Sequence, residues 1–456
     1  MKFVLSSLAN DLGGRLVGPD RTVDGAAIDS RGEVDGRLFV PIVAERDGHD
    51  FVAAAIDGGA AAYLTARPPD PAVDAPAIVV DDTASALTAL GRLARSRLTG
   101  PVVGITGSVG KTSVKDLTLA ACVGGGSAWA SVASFNNELG VPLTLANAPE
   151  GSGVTIVEMG ARGIGHIAEL CAVARPTIGV VTRVALVHSE LFGSIDDVAR
   201  GKGELVEALP AGGTAVLNAD DPLVAAMADR TGASVLTYGA GAGDDDGGPP
   251  ADRPSVRLLD VRVDRLLRPT FLVEAENPTE PGINRAELTL DVRGAHMASN
   301  ATAALATALA AGVPFDVAID GLRAASVSPW RMEVLEAPGG ALVINDAYNA
   351  NPTSMRAAFR SLVEVPAERR VAVVGLMAEL GPEGPREHLA LADEAVEAGI
   401  ELIAVDAPQY GDRARHVADR DGAAAAIGPL GSGDAVLVKG SRVAGLERLA
   451  AELLER

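Results

Sequence analysis

The chain has 456 residues, 48% of them hydrophobic and only 3% aromatic, so it can bury several cores built mainly from Ala, Val and Leu. Its 39 Lys and Arg against 60 Asp and Glu leave a formal charge of −21, which excludes a general binder of nucleic-acid backbone and disfavours anionic lipid. Two cysteines, Cys122 and Cys171, exclude a disulfide framework and a cysteine metal cluster, as expected of a reducing compartment.

Behind Lys2 a short apolar patch is broken by Asn10 and Asp11, too early for a signal-peptide core. Residues 1–99 read as a small α/β unit: a polar turn Asp29-Ser30-Arg31, a strand Leu38-Phe39-Val40, an Ala-rich helix after Phe51, and a helix end and linker over 91–100. From Pro101 the pattern becomes β-α-β. A strand at 102–105, a Gly-rich turn and a helix from about Thr112 are followed by β-rich runs at 154–159, 178–184 and 213–217. Short apolar runs alternating with helical segments predict a parallel sheet covered on both faces. The charge-free run 117–137 contains Gly124, Gly125 and Gly126 and is not a membrane span.

Residues 239–251 read as a low-complexity loop, and the runs near 255–263, 269–275 and 286–293 as an added antiparallel sheet at the edge of this domain. A third α/β unit begins near Ser326, with strands at 341–344, 371–374, 402–405 and 435–438 and a last helix over 443–454. The fold class expected is α/β in three domains: 1–99, a central 100–325 and a Rossmann-like 326–456.

The strongest chemical signal is Gly104-Ile105-Thr106-Gly107-Ser108-Val109-Gly110-Lys111-Thr112. It follows a strand and opens a helix, the context a phosphate-binding loop needs. Its glycines let backbone N–H groups approach phosphate, and the helix start favours negative charge. Lys111 would reach the β/γ-phosphates and the Thr112 hydroxyl would ligate Mg²⁺. Ile105 stands where the general loop pattern has Gly, so the match is partial. Glu158 ends a strand beside this loop, where a Mg²⁺ ligand belongs, although an acid there can equally be structural. His188 follows another strand end and reads as a ligand or a packed imidazole. Asn218-Ala219-Asp220-Asp221 reads as a nucleotide-contacting loop or a helix cap. Lys115, one turn beyond Lys111, reads as a surface lysine. Only 5 of the 39 cations are Lys, which invites the question whether those positions need an amine that Arg cannot supply.

These residues resemble the Mur ligases, ATP-dependent amide ligases that extend the peptidoglycan precursor. The loop Thr106-Gly107-Ser108-Val109-Gly110-Lys111-Thr112 has that family's spacing, which accounts for Ile105. The resemblance continues through Asp29-Ser30-Arg31, Asn136-Asn137-Glu138-Leu139-Gly140, Glu158-Met159-Gly160, Lys202-Gly203-Glu204, Asn300, Arg331-Met332-Glu333 and Lys439-Gly440-Ser441-Arg442. Asp346-Ala347-Tyr348-Asn349-Ala350-Asn351-Pro352, and Met377 to Gly381 with His388, resemble the branch that joins D-Ala-D-Ala to UDP-N-acetylmuramoyl-tripeptide.

The resemblance implies an acyl-phosphate route, with ATP and two Mg²⁺ ions. Thr112 and Glu158 would hold one ion and His188 the other, with Lys202 carrying a carbamate that Arg could not form. Asn300, Arg331 and Asp346 would contact ATP together with the loop residues 106–112. Arg331 would stabilise the transferring phosphoryl group. Asn218 and His296 are further nucleotide candidates. Ser30 and Arg31 would hold the uridine diphosphate. Asn137, Tyr348, Asn349 and Asn351 would shape the pocket for the reacting ends of the substrates. It also implies a cytoplasmic enzyme; an active site within one chain makes a monomer the default, and the charge argues against a nucleic-acid partner or a membrane anchor. Arg183 stands where the family usually has Asn, and Leu376 where it often has Asp. The competing expectations are a sister ligase with another amine, and a nucleotide switch that hydrolyses ATP without ligation.

Overall fold

A computed structural model describes residues 1–132, 134–185, 192–240, 253–276, 282–378 and 380–455. His188, Glu379 and most of the expected low-complexity loop lie outside the described residues. Among the described residues the strands form sheets of two, five, nine and six strands.

The central sheet carries the phosphate loop. Strand Val102–Thr106 lies between Val154–Glu158 and Ile178–Val181, all parallel. Thr214–Asn218 and Ser234–Gly239 continue the sheet on one side and Ala128–Ala130 closes the other. These strands are Val- and Ile-rich because both of their faces are buried. One face packs on helices Lys111–Val123, His296–Ala310 and Phe315–Arg323. The other face shares one continuous core with the N-terminal unit. The antiparallel runs Val256–Val263, Pro269–Glu276 and Ile283–Thr289 extend this same sheet instead of forming a second one. The join is two residue pairs, Tyr238 with Val256 and Gly239 with Arg257. At the tip of the first hairpin Leu267 adopts φ +62° and is fully buried, not in the central core but in the C-terminal one, beside Met332, Ile344 and Met355.

The last sheet is parallel over Leu342–Asn345, Asp434–Lys439, Arg369–Val374, Glu401–Val405 and Arg415–Val417. Glu333–Glu336 adds an antiparallel edge. In the N-terminal unit a five-stranded sheet runs Arg15–Val17, Ala77–Val79, Ala62–Thr65, Leu38–Phe39, Ala26–Ala27.

Two further sequence expectations are corrected here. The helix expected to end in a linker over 91–100 runs as Thr83–Arg97, straight through Gly91. Gly91 sits at a contact: a Cβ there would lie 2.4 Å from Pro142 Cβ, so the missing side chain lets this helix touch helix Gly140–Asn147. The final helix begins only at Glu447, because Gly445 takes φ +59° after a short 3₁₀ turn over Arg442–Ala444.

Candidate active site

A cleft of about 1390 Å³ opens where the C-terminal ends of the central strands face the C-terminal unit. That is where ligands bind in open parallel sheets. Its floor is the phosphate loop. Gly107 has φ +150° and Gly110 φ +88°, and a Cβ on Gly107 would fall 1.9 Å from Thr182 Oγ1. Only glycine fits there; the Ser108 N–H donates to Arg183 O at 2.7 Å, and the start of helix Lys111–Val123 favours an anion. Ser108 Oγ donates to Ala185 O at 2.8 Å and Thr182 Oγ1 to Val109 O at 2.6 Å, which fixes the loop's shape. Lys111 Nζ donates to Gly107 O at 2.7 Å, so the ammonium lies over the loop. Thr106 is buried beneath the loop, and its Oγ1 has no hydrogen-bond partner among the described residues.

Beside the loop, Thr112 Oγ1 donates to Glu158 Oε2 at 2.8 Å and Asn136 Nδ2 to Glu158 Oε1 at 2.8 Å. The Glu158 N–H donates to Ser131 Oγ at 3.2 Å. A buried carboxylate met by neutral donors, with a hydroxyl against it, is a hard-oxygen set suited to Mg²⁺. Sequence reasoning gave Asn136 no role, although it stands in the quoted Asn-Asn-Glu-Leu-Gly stretch. Among the described residues no group of three His, Cys, Asp or Glu gathers as a metal cluster.

Lys202, on helix Ile195–Glu207, is 2% exposed and its Nζ lies 6.0 Å from the centre of the Phe192 ring. Burial first, and repulsion from Lys111 second, hold its amine well below the ordinary lysine range. Two residues on, Glu204 accepts from the Gly165 and Ala168 N–H groups, anchoring the start of helix His166–Ala174 to the Lys202 helix.

The opposite wall comes from helix His296–Ala310 and the C-terminal unit. Asn300 Oδ1 is 3.0 Å from where a Gly110 Cβ would stand. Arg331 stacks on Tyr348, its Cζ 4.1 Å from the ring centre, and its buried Nε has no hydrogen-bond partner among the described residues. Asp346 accepts from the Met332 N–H at 3.1 Å and from Lys439 Nζ at 2.6 Å. Burial lowers the His296 pKa against the pull of Asp346. The Tyr348 and Ser134 hydroxyls bond across the cleft.

Residues 107–112, Asn137, Glu158, Lys202, Asn218, His296, Asn300, Arg331, Asp346, Tyr348, Asn349 and Asn351 all line this one cleft. Several also have structural duties: Asn218 Nδ2 donates to Thr182 O, Asn137 Oδ1 accepts from the Gly140 N–H, and Asn351 caps helix Pro352–Glu364. Ser30 and Arg31 lie away from it, on the N-terminal unit, where exposed Arg31 pairs with Asp29 at 2.8 Å. The reading of Lys115 as a surface lysine is overturned. It is 2% exposed and donates to Ser131 O at 2.7 Å, beside Asp116.

A phosphate loop, a buried acid against its Thr, and an Arg brought over from a second sheet define an ATP-using enzyme whose site is shared between units. Residues 105–308 match the Mur ligase middle domain and residues 330–442 the Mur ligase, glutamate ligase domain; the chain belongs to the Mur ligase family, whose members form carbon–nitrogen bonds. Within it, the UDP-N-acetylmuramoyl-tripeptide--D-alanyl-D-alanine ligase of Mycobacterium tuberculosis is 38% identical, over 93% of this chain and 91% of that protein. The Escherichia coli ligase of the same name is 33% identical over 100% and 99%. Among solved structures, MurF from Acinetobacter baumannii matches with TM-score 0.85 at 25% identity, covering 100% of this chain and 99% of that one. The Thermotoga maritima MurF ligase in complex with ADP matches with TM-score 0.79 at 26% identity, covering 95% and 97%.

Proposed function

We propose that this chain joins D-Ala-D-Ala to UDP-N-acetylmuramoyl-tripeptide, with ATP converted to ADP and phosphate. The observation that carries the reading is the single cleft in which the phosphate loop faces Arg331 and the 346–351 segment, in a chain whose relatives bear that ligase's name. In the first step a tripeptide carboxylate oxygen bonds to the γ-phosphorus and the bond to ADP breaks. In the second, the D-Ala-D-Ala amine bonds to the acyl carbon, phosphate leaves, and the amine gives up its proton.

Positioning and charge neutralisation dominate such a reaction. The N–H groups at the start of helix Lys111–Val123 and Lys111 hold the β/γ-phosphates, and Arg331, whose Nε has no hydrogen-bond partner among the described residues, meets the charge that develops on the transferring group. Thr112 and Glu158 would hold Mg²⁺, which neutralises phosphate charge when bound. Lys202 is the residue for a carbamate: burial lowers its amine's pKa, which favours the nucleophilic free-amine form, and the adduct is an anion able to support a second ion, with His188 as the other candidate ligand. Asn300 and Asp346 contact the nucleotide, with Asn218 and His296 beside them. Ser30 and Arg31 hold the uridine diphosphate, and Asn137, Tyr348, Asn349 and Asn351 surround the joining ends.

The division into units 1–99, 100–325 and 326–456 rests on their separate sheets. One chain supplies both walls, which supports a monomer. Among the described residues no helix is long and apolar enough to cross a membrane, and a cytoplasmic place fits the use of ATP. The test is phosphate release from ATP with UDP-N-acetylmuramoyl-tripeptide, with and without D-Ala-D-Ala. Release that needs both, with the pentapeptide nucleotide as product, is expected. Release that needs another amine makes the chain a sister ligase, and release indifferent to both removes the ligase reading.

A further inference from the structure

The connector between the central and C-terminal units, residues 324–332, is held at both ends. On the central side Asp116 Oδ2 accepts from the Ser328 N–H at 2.8 Å and from Ser328 Oγ at 2.7 Å. Asp116 stands on the second turn of the phosphate-loop helix, four residues after Thr112. Its other oxygen pairs with Lys115 Nζ at 2.9 Å, and Lys115 Nζ also donates to Ser131 O. Ser131 Oγ in turn accepts the N–H of Glu158, whose carboxylate meets Thr112. Pro329 follows Ser328 and restricts it to extended backbone, so the anchor is stiff.

On the C-terminal side, Met332 N–H donates to Asp346 and Tyr348 N–H to Trp330 O. Between these anchors Trp330 takes φ +60° and Met332 φ +54°, a left-handed conformation that non-glycine residues rarely adopt. Both flank Arg331. Two strained residues persist only where their surroundings over-determine them, and strain of this kind gathers at functional sites.

We propose that Asp116 and Ser328 form a pivot that sets Arg331 against the transferring phosphoryl group, making Asp116 a positioning residue for the ligation. The pivot ties Arg331 to the same helix whose start holds the phosphates. Displacement of that helix by a bound nucleotide therefore reaches Arg331 through two hydrogen bonds to one carboxylate. Ser328 lines the cleft, and Asp116 stands behind it, outside the lining. This inference rests on the ligase reading above.

The test uses the full chain with Ser328→Ala, Ser328→Thr and Asp116→Asn. It measures kcat for phosphate release dependent on D-Ala-D-Ala, KM for ATP, and ADP affinity by calorimetry. Loss of a hydrogen bond to a charged acceptor predicts a drop in kcat of roughly tenfold for Ser328→Ala. ADP affinity and KM should stay within about twofold and Ser328→Thr should restore kcat, because the hydrogen-bonded hydroxyl is the only group at issue. A kcat for Ser328→Ala within twofold of wild type overturns the pivot. So does a parallel loss of ADP affinity, which would mark a merely structural role. Asp116→Asn checks the same point from the acceptor side and should lower kcat at unchanged ADP affinity. Wild-type turnover that ignores D-Ala-D-Ala overturns the ligase reading instead, and the pivot is then judged by the same comparison on the remaining ATP turnover.

Discussion

Replacing Lys202 by Met separates its chemistry from its packing. The side chain is 2% exposed and the Nζ faces the Phe192 ring at 6.0 Å. Methionine fills nearly the same volume without charge, so the exchange should change stability by less than about 1.5 kcal/mol. Removing the cost of burying a polar amine pushes the balance toward neutral or stabilising. Activity should behave oppositely. With no amine there is no carbamate to support the second ion, and loss of a preorganised charge at a transferring phosphoryl group lowers kcat by roughly 10²–10³-fold. Lys202→Arg, charged and unable to form a carbamate, should be as inactive and clearly less stable.

The pH dependence of stability gives a second readout. The lowered amine pKa means that, between the folded value and 10.5, the unfolded chain binds more protons. In CO₂-free buffer the wild type therefore gains stability as pH rises through that window, and Lys202→Met lacks the gain. Thermal unfolding against pH, and phosphate release with and without bicarbonate, measure both. Turnover of Lys202→Met within tenfold of wild type, or a wild type indifferent to CO₂ removal, refutes the reasoning.

Glu158→Gln should cut kcat by about 10²-fold and weaken the Mg²⁺ dependence of turnover while leaving the melting temperature almost unmoved, because the amide keeps the volume of the buried carboxylate. Gly91→Ala places a Cβ 2.4 Å from Pro142 Cβ; overpacking of about 1–3 kcal/mol outweighs the roughly 1 kcal/mol gained in helix propensity, so the melting temperature should fall. Arg31→Ala should leave the melting temperature unchanged, since its pair with Asp29 is largely exposed, yet raise KM for the sugar nucleotide. Asp29 is held down to about 2, so its small contribution is full above the usual carboxylate range and disappears as pH falls toward 2, which acid titration of the same variant checks.

The phosphate loop was legible because its signal is local: a strand, glycines forced to positive φ and a helix start fall within a dozen residues. The parallel strands of both large sheets were legible from continuous apolar runs, since burial on both faces removes alternation. What failed depended on partners far away in sequence. Nothing near Lys115 shows that the Ser131 carbonyl would hold its amine in the interior. Gly91 looks like a helix stop until Pro142 is seen against it. The edge strands Glu333–Glu336 and Arg415–Val417 are short and half-exposed, and carry little pattern of either period. Asp346 was legible as a cleft residue, but its tie to Lys439, 93 residues away, was not.

Leu267 gives the boundary between the central and C-terminal units an unusual character. It belongs by sequence to the central sheet and by burial to the other core, a ball carried by one body and seated in a socket of the next. A chain cut near residue 326 would leave each half deficient: one with a leucine in water, the other with an empty leucine-sized hole, at a cost of roughly 2–5 kcal/mol. The C-terminal unit is therefore not a free passenger on a tether. Any rotation of that unit would either turn about the seated side chain or draw it out, and the first motion would keep the apolar contact throughout.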